Sequence, residues 1–315
     1  MSANVNSMFY YGEVPWHGLG TPVDHAATSD EAIIASGLDW PVDAQELVTT
    51  HGLQVLTHRA TVRRDTNTVL GVVGSRYEVL QNRAAFDFFD GVVGQKAAIY
   101  HTAGSLGQGE KVWILAKLPG EIVVGKDDVT EKFLLLLNSH DSSWRVRMFF
   151  TPIRVVCQNT AQAAIRGFNS KTDLGVGFKH MGSMESKLTT AQQALSIMNG
   201  YYNEYAELAT VLSTRQLSEE VVTDITNVVF PSTSSRAKNV KQQVRHLFES
   251  EKNNTLGISG TAWALYNAFV EWADYVRRVP NLEKNPTKRL ESVWLGSAAQ
   301  FKMQAMDAVR DAVGV

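Results

Sequence analysis

The residue types best suited to chemistry crowd between Ser142 and Met184, SSWRVRMFFTPIRVVCQNTAQAAIRGFNSKTDLGVGFKHMGSM. There Arg145, Arg147, Arg154, Arg166, Lys171 and Lys179 stand against one acid, Asp173, a local charge of +5. Residues 1–141 hold 10 basic and 17 acidic side chains (−7), and residues 185–315 hold 14 of each, so a chain of net charge −2 is polarised around one segment. Guanidinium pairs bidentately with phosphate, and guanidinium planes and aromatic rings stack on unpaired bases. The pattern points to recognition of a nucleic-acid backbone. The plainer alternative is a solvated strand face whose arginines pair with acids from the −7 portion.

The elements that position these residues follow from spacing. Alternation puts Trp144, Val146 and Met148 on one face of a strand and Arg145, Arg147 and Phe149 on the other. Pro152 cannot donate to a ladder and marks a strand edge, bulge or corner, after which Ile153 to Cys157 resumes as a strand carrying Arg154. Arg145, Arg147 and Arg154 are then expected to form a stripe along the sheet edge. Asn159 with Gln162 reads as an N-cap and capping-box partner opening a helix from Thr160 to Arg166, which Gly167 stops. Lys171 and Lys179 fall in a loop containing Gly167, Gly175, Gly177 and Gly182, able to close over a bound strand. Arg63 and Arg64, at an expected hairpin tip, offer an opposite wall, and Phe149 and Tyr77 are the base-stacking candidates.

Before this segment the chain alternates strand and turn signals. Ser29 caps a short helix ended by Gly37; Val42–Thr50, Gln54–Val62 and Val69–Val73 read as strands, and a short strand carrying Arg76 and Tyr77 leads to Asn82. Asn82 caps an amphipathic helix with Phe86, Phe89 and Val93 on its packed face. Ala97–His101, a turn with Gly104, Gly107 and Gly109, then Lys111–Leu118, Glu121–Val124 and Lys132–Ser139 add strands. The four consecutive leucines of the last require burial on both faces. From Glu185 the spacing is helical: Glu185–Leu212, Ser218–Val229, Ser234–Glu251, Gly260–Val279 and Thr287–Ala312. The fold expected is α+β, a hairpin-rich, mainly antiparallel sheet with crossing helices over residues 1–184, followed by an α-helical region over 185–315. Trp263, Tyr266, Phe269 and Trp272 recur at helical spacing and suit a core or an interface.

Much chemistry is excluded. One cysteine, Cys157, rules out internal disulfides and cysteine-based metal clusters. There is no Walker A, GxSxG, HExxH or CxxC pattern, and the pairs Asp87/Asp90, Asp127/Asp128 and Glu219/Glu220 fall where solvated charge is the ordinary reading. No catalytic residue, metal or cofactor is expected, and a binding protein is favoured over an enzyme. No apolar run approaches the roughly 20 residues that span a bilayer, and the first residues lack the features of a signal peptide, so a cytoplasmic location is expected.

The blocks PWHGLG, VGSRYEVLQNRAAFDFFDGVV and FFTPIRVVCQNT, followed by a helical tail, resemble the phage- and plasmid-carried family catalogued as a domain of unknown function, number 932. The arrangement of hairpin-rich sheet, basic strand and helical tail without a nucleotide motif also looks like the RecT, Redβ and Erf class of single-strand annealing proteins at the level of fold. That second resemblance implies binding and annealing of single-stranded DNA without ATP, by a ring or filament of identical subunits. The competing expectation is a protein-interaction module of a mobile element, such as a host-defence inhibitor or an assembly component, using the acidic portion or the helix Trp263–Trp272.

Overall fold

A computed structural model of the chain describes residues 5–12, 20–25, 27–93, 99–154, 159–160, 175–183, 185–187, 189–190, 199–278 and 292–315. Strands β1 (Val5–Tyr11) and β2 (Thr21–Val23) precede helix α1 (Ser29–Ala35), and β3 (Val42–Val48), β4 (Gln54–Arg63) and β5 (Thr68–Gly74) precede α2 (Asn82–Val93). Then follow β6 (Ile99–Leu106), β7 (Lys111–Val124), β8 (Asp128–Ser139), β9 (Val146–Arg154), β10 (Asn159–Thr160) and β11 (Gly175–Phe178). The helices α3 (Asn199–Thr214), α4 (Glu219–Val229), α5 (Ser235–Phe248), α6 (Ala262–Glu271) and α7 (Ser297–Val313) complete the chain, with α6 running into a π-helical turn, Trp272–Val276. The class is α+β, as the sequence predicts.

Eight strands form the main sheet in the order β10-β9-β8-β7-β6-β1-β2, with β11 also pairing β9; only the β1/β2 pair is parallel. Strands β3, β4 and β5 make a separate antiparallel sheet. The leucine run of β8 is buried on both faces. Leu134 and Leu136 pack with Phe86 and Phe89 of α2 and Ile33 of α1, whereas Leu135 and Leu137 pack with Met8, Trp113 and Phe149. A strand covered on both sides has no polar face to alternate with, hence the continuous apolar run.

Several expectations are corrected. The cap of α1 is Thr28, whose hydroxyl accepts from Glu31 N while the Glu31 carboxylate accepts from Thr28 N, a complete capping box. Ser75 to Gln81, including Arg76 and Tyr77, is not a strand. Gly104 lies inside β6 rather than in the turn, because a Cβ there would sit 2.5 Å from the Ser7 carbonyl oxygen and 2.6 Å from the Trp113 ring. Lys111–Leu118 and Glu121–Val124 are one strand whose register shifts between Lys117 and Glu121, where Pro119 and Gly120 sit.

The helices expected from Ser218, Ser234 and Gly260 form close to their predicted starts, whereas the one expected over Thr287–Ala312 is interrupted at Leu295 and Gly296 and runs from Ser297, and most of Glu185–Met198 lies outside the described residues. Ser218, Ser234 and Thr261 cap α4, α5 and α6 through their hydroxyls, and every residue of α6 from Ala262 to Val270 is buried. Their core includes Ile122 and Val124 of β7. Trp263 Nε1 donates to the buried Asp128 carboxylate at 2.6 Å, and the Tyr202 hydroxyl donates to the Phe133 carbonyl at 2.6 Å. The helices and the far end of the β7–β8 hairpin therefore share one core. Among the described residues no helix is long and apolar enough to cross a membrane.

Candidate nucleic-acid interface

Strand β9 carries Arg147 and Arg154 of the predicted cations, and its two faces divide as alternation requires. Val146 and Met148 enter the core beneath α1 and α2, while Phe149 joins the core of the opposite face. Arg147 shares that opposite face and is half-buried; Arg145, just before the strand, is exposed. Strand β11 returns antiparallel alongside, pairing Phe178 with Val146, Gly177 with Arg147 and Gly175 with Phe149. Exposed Lys179 directly follows Phe178, and exposed Arg145 directly precedes Val146, at the end of the same pair. Gly177, opposite Arg147, presents no side chain beside it. Neither Arg145 nor Lys179 forms an ion pair among the described residues.

Two residues outside the predicted set join this end of the sheet. Lys111, at the start of β7, holds its ammonium 4.9 Å from the Trp144 ring centre. Trp144 packs at the margin of the Phe149-side core and is half-buried, on the opposite side from that expected. It precedes β9 instead of lying in it, so strand alternation does not reach it. An aromatic immediately before an arginine strand, with a lysine opening the hairpin two strands away, is the signal that finds this pair. A half-exposed indole among four cations can stack on a base while its neighbours contact phosphates.

Other predicted positions are placed differently. Strand β9 is not a sheet edge, since β11 flanks its first half and β10 its end. The chain runs straight through Pro152 in unbroken register with β8. Pro152 falls in the stretch between the two flanking strands, where its missing N–H leaves no ladder bond unmade. The corner that would have aligned Arg154 with Arg145 and Arg147 is absent. Asn159 and Thr160 pair with Arg154 and Ile153 as β10, and the remainder of the helix expected from Thr160 to Arg166 lies outside the described residues. Arg166 and Lys171 lie outside the described residues.

Arg63 and Arg64 are committed to structural contacts. The Arg63 guanidinium donates twice to Asp65, reaches the Gln108 carbonyl at 3.0 Å and lies 4.4 Å from the Trp40 ring centre; its side chain is 11% exposed. Arg64 makes a bidentate pair with Asp43. Both arginines thus pair with acids of the same −7 portion of the chain in which they lie. Phe149 is a core residue, 4% exposed, and cannot meet a base. Tyr77 stacks on His180, ring centres 4.5 Å apart, and its hydroxyl donates to the Ser139 carbonyl at 2.6 Å, so its ring is occupied as well.

Tyr77 belongs to a buried polar cluster that ties β11 to the body. His180, two residues past β11, donates from Nδ1 to the Glu78 carbonyl at 3.1 Å, and its own carbonyl accepts from Glu78 N. Burial, with a smaller contribution from Lys187, lowers its pKa, which the Glu78 bond partly offsets. His140, just after β8, is fully buried; Nε2 donates to Asn82 Oδ1 at 3.1 Å, and Asn82 Nδ2 in turn donates to the Leu38 carbonyl at 3.0 Å. Among the described residues the buried His140 Nδ1 and His180 Nε2 find no hydrogen-bond partner.

The carboxylate pairs do not assemble. Asp128 is buried against Trp263, and Asp90 accepts from Ser29 and Tyr100. Among the described residues no group of three histidine, cysteine or carboxylate side chains is placed to hold a metal ion. Neither curated proteins nor solved structures match the chain. A family model does, spanning residues 69–294 from within β5 to the Trp294 ring that meets Trp113 under the cationic face. The chain therefore belongs to the family described as Domain of unknown function (DUF932).

Proposed function

We propose that this protein binds single-stranded DNA across the β9–β11 face and anneals complementary strands without ATP, as an oligomer in the cytoplasm of a cell carrying the phage or plasmid that encodes it. One observation carries the reading: Arg145, Arg147, Lys179 and Lys111 gather with Trp144 at one end of one sheet face in a chain of net charge −2. Cations so grouped attract a polyanion, and a strand laid along them releases counterions. The protein-interaction alternative loses its docking helix, because Trp263, Tyr266 and Phe269 are fully buried and Trp272 nearly so.

Fluorescence anisotropy of a labelled oligonucleotide, titrated with salt, tests the reading. Affinity should fall as salt rises, and Arg145→Ala with Arg147→Ala should reduce the slope by roughly 1.4, about 0.7 for each single-strand phosphate contact. Trp144→Ala should weaken binding by about 1–3 kcal/mol with the salt slope unchanged, as a lost stacking contact does. The control is Arg236→Ala with Lys238→Ala, two exposed cations of α5, which removes the same charge from another surface. Absence of binding at low salt ends the proposal. A control that abolishes binding while the β9 variant binds normally moves the site to the helices.

A further inference from the structure

Strands β3 and β4 leave the body as an arm. None of the residues from Ala44 to Arg59 is buried, and β5 accompanies β4 only from His58 inward, so the outer half is a two-stranded ribbon. Such a ribbon is marginal in water. This one nevertheless displays Val48, Leu53 and Leu56, at 64%, 68% and 75% exposure, with Leu47 and Val55 half-exposed as a cross-strand pair. An apolar cluster of this kind, with no core behind it, marks a contact surface.

Charge narrows the occupant. Between Ala44 and His58 there is no lysine or arginine, and the one acid, Glu46, is paired across the ribbon with Arg59. With Arg59 opposite Glu46 the arm carries no net charge, so two arms do not repel. Backbone geometry narrows it further. At the base of β3 the Gln81 amide stands in for a neighbouring strand, accepting from Val42 N at 3.0 Å and donating to the Val42 carbonyl at 2.8 Å. Beyond that cap the outward-pointing backbone groups of Ala44 and Glu46 meet no strand among the described residues, because β3 is the sheet's outer member. An open strand edge beside exposed aliphatic side chains is a template for a further strand.

We propose that the arm is a self-association element, in which the open edge of β3 and the exposed Val48, Leu53 and Leu56 meet the arm of a second copy of this chain. A two-fold arrangement lets one neutral, apolar patch serve both partners, as isologous contacts require. The inference deepens the oligomeric part of the function proposed above and does not depend on DNA binding.

Sedimentation velocity of the full chain over a concentration series tests it, with Leu53→Asp combined with Leu56→Asp as the variant. Both side chains lie outside every core, so the variant should keep the wild-type circular dichroism and melting curve. The wild type should sediment at twice the 34.8 kDa chain mass or a higher multiple, and the variant should associate at least tenfold more weakly. A wild type that stays at the chain mass throughout, or a folded variant with the wild-type mass, overturns the proposal. So does a species that grows only when an oligonucleotide is added. Anisotropy on the same samples keeps the two readings apart: loss of association with DNA affinity retained tells against neither, whereas association without any DNA affinity sinks the functional proposal and leaves the arm.

Discussion

Protonation of His140 is the most quantitative consequence of the polar cluster beneath β11. Burial lowers its pKa from 6.5 to about 3, with the neighbouring His180 adding to the shift and Asp141 opposing it. The unfolded chain takes up a proton below about pH 6.5 that the folded chain refuses until about pH 3, so folding is unaffected above the upper value and loses stability as pH falls between the two. At about pH 5 the gap is about 1.5 pH units, which at 1.36 kcal/mol per unit amounts to about 2 kcal/mol from this one side chain. His140→Gln keeps an N–H for Asn82 Oδ1 and removes the titration. Urea unfolding of both proteins near pH 7.5 and pH 5 gives the comparison, and carboxylates, common to both, cancel in the difference. The wild type should lose about 2 kcal/mol more than the variant on acidification. Parallel losses would refute the argument, showing that His140 is hydrated or charged in the folded state.

Two further outcomes follow from the core. Lys302 and Asp274 form a buried ion pair at 2.9 Å between α7 and the π-helical turn; Lys302→Met alone should cost about 3–5 kcal/mol by removing the cation from beside a buried carboxylate, and adding Asp274→Asn should restore most of it in thermal melts. Gly104→Ala should cost more than the roughly 1–3 kcal/mol of ordinary overpacking, because its Cβ meets backbone and an indole at once; a wild-type melting temperature would show that β1 can move aside.

What the sequence discloses depends on how local the deciding interaction is. The helices from α3 to α7 were legible because a 3.6-residue apolar period is contained within each segment, and α4, α5 and α6 carry their serine or threonine caps as well. The burial of both faces of β8 was legible because four leucines in succession leave no alternative. Misreadings cluster where a distant segment decides. Gly104 resembles a turn glycine until Ser7 and Trp113, far apart in sequence, are seen to press on it from both sides. Asn159 and Gln162 have the spacing of a helix start, yet Asn159 finds an open edge on β9 and extends. Arg63 and Arg64 read as projecting cations because Asp43, Asn6 and Gln108 come to them from three separate elements.

The same reasoning explains why the two arginines and the phenylalanine of one strand face part company. Alternation sets Arg145, Arg147 and Phe149 on a common side, and a strand considered alone gives no reason to treat them differently. The cover on that side comes from Trp294 and Leu295, near the other end of the chain, which pack over the part of the sheet where Phe149, Leu135 and Trp113 lie. Exposure then rises stepwise along β9 from Phe149, buried, through Arg147, half-buried, to Arg145, exposed. A cation at the buried end would need an acid or lose its hydration at a cost of several kcal/mol. At the uncovered end it stays solvated and available to phosphate. The cationic patch is therefore confined to the margin of the sheet by the position of the C-terminal cover, and half-buried Trp144 lies at that same margin.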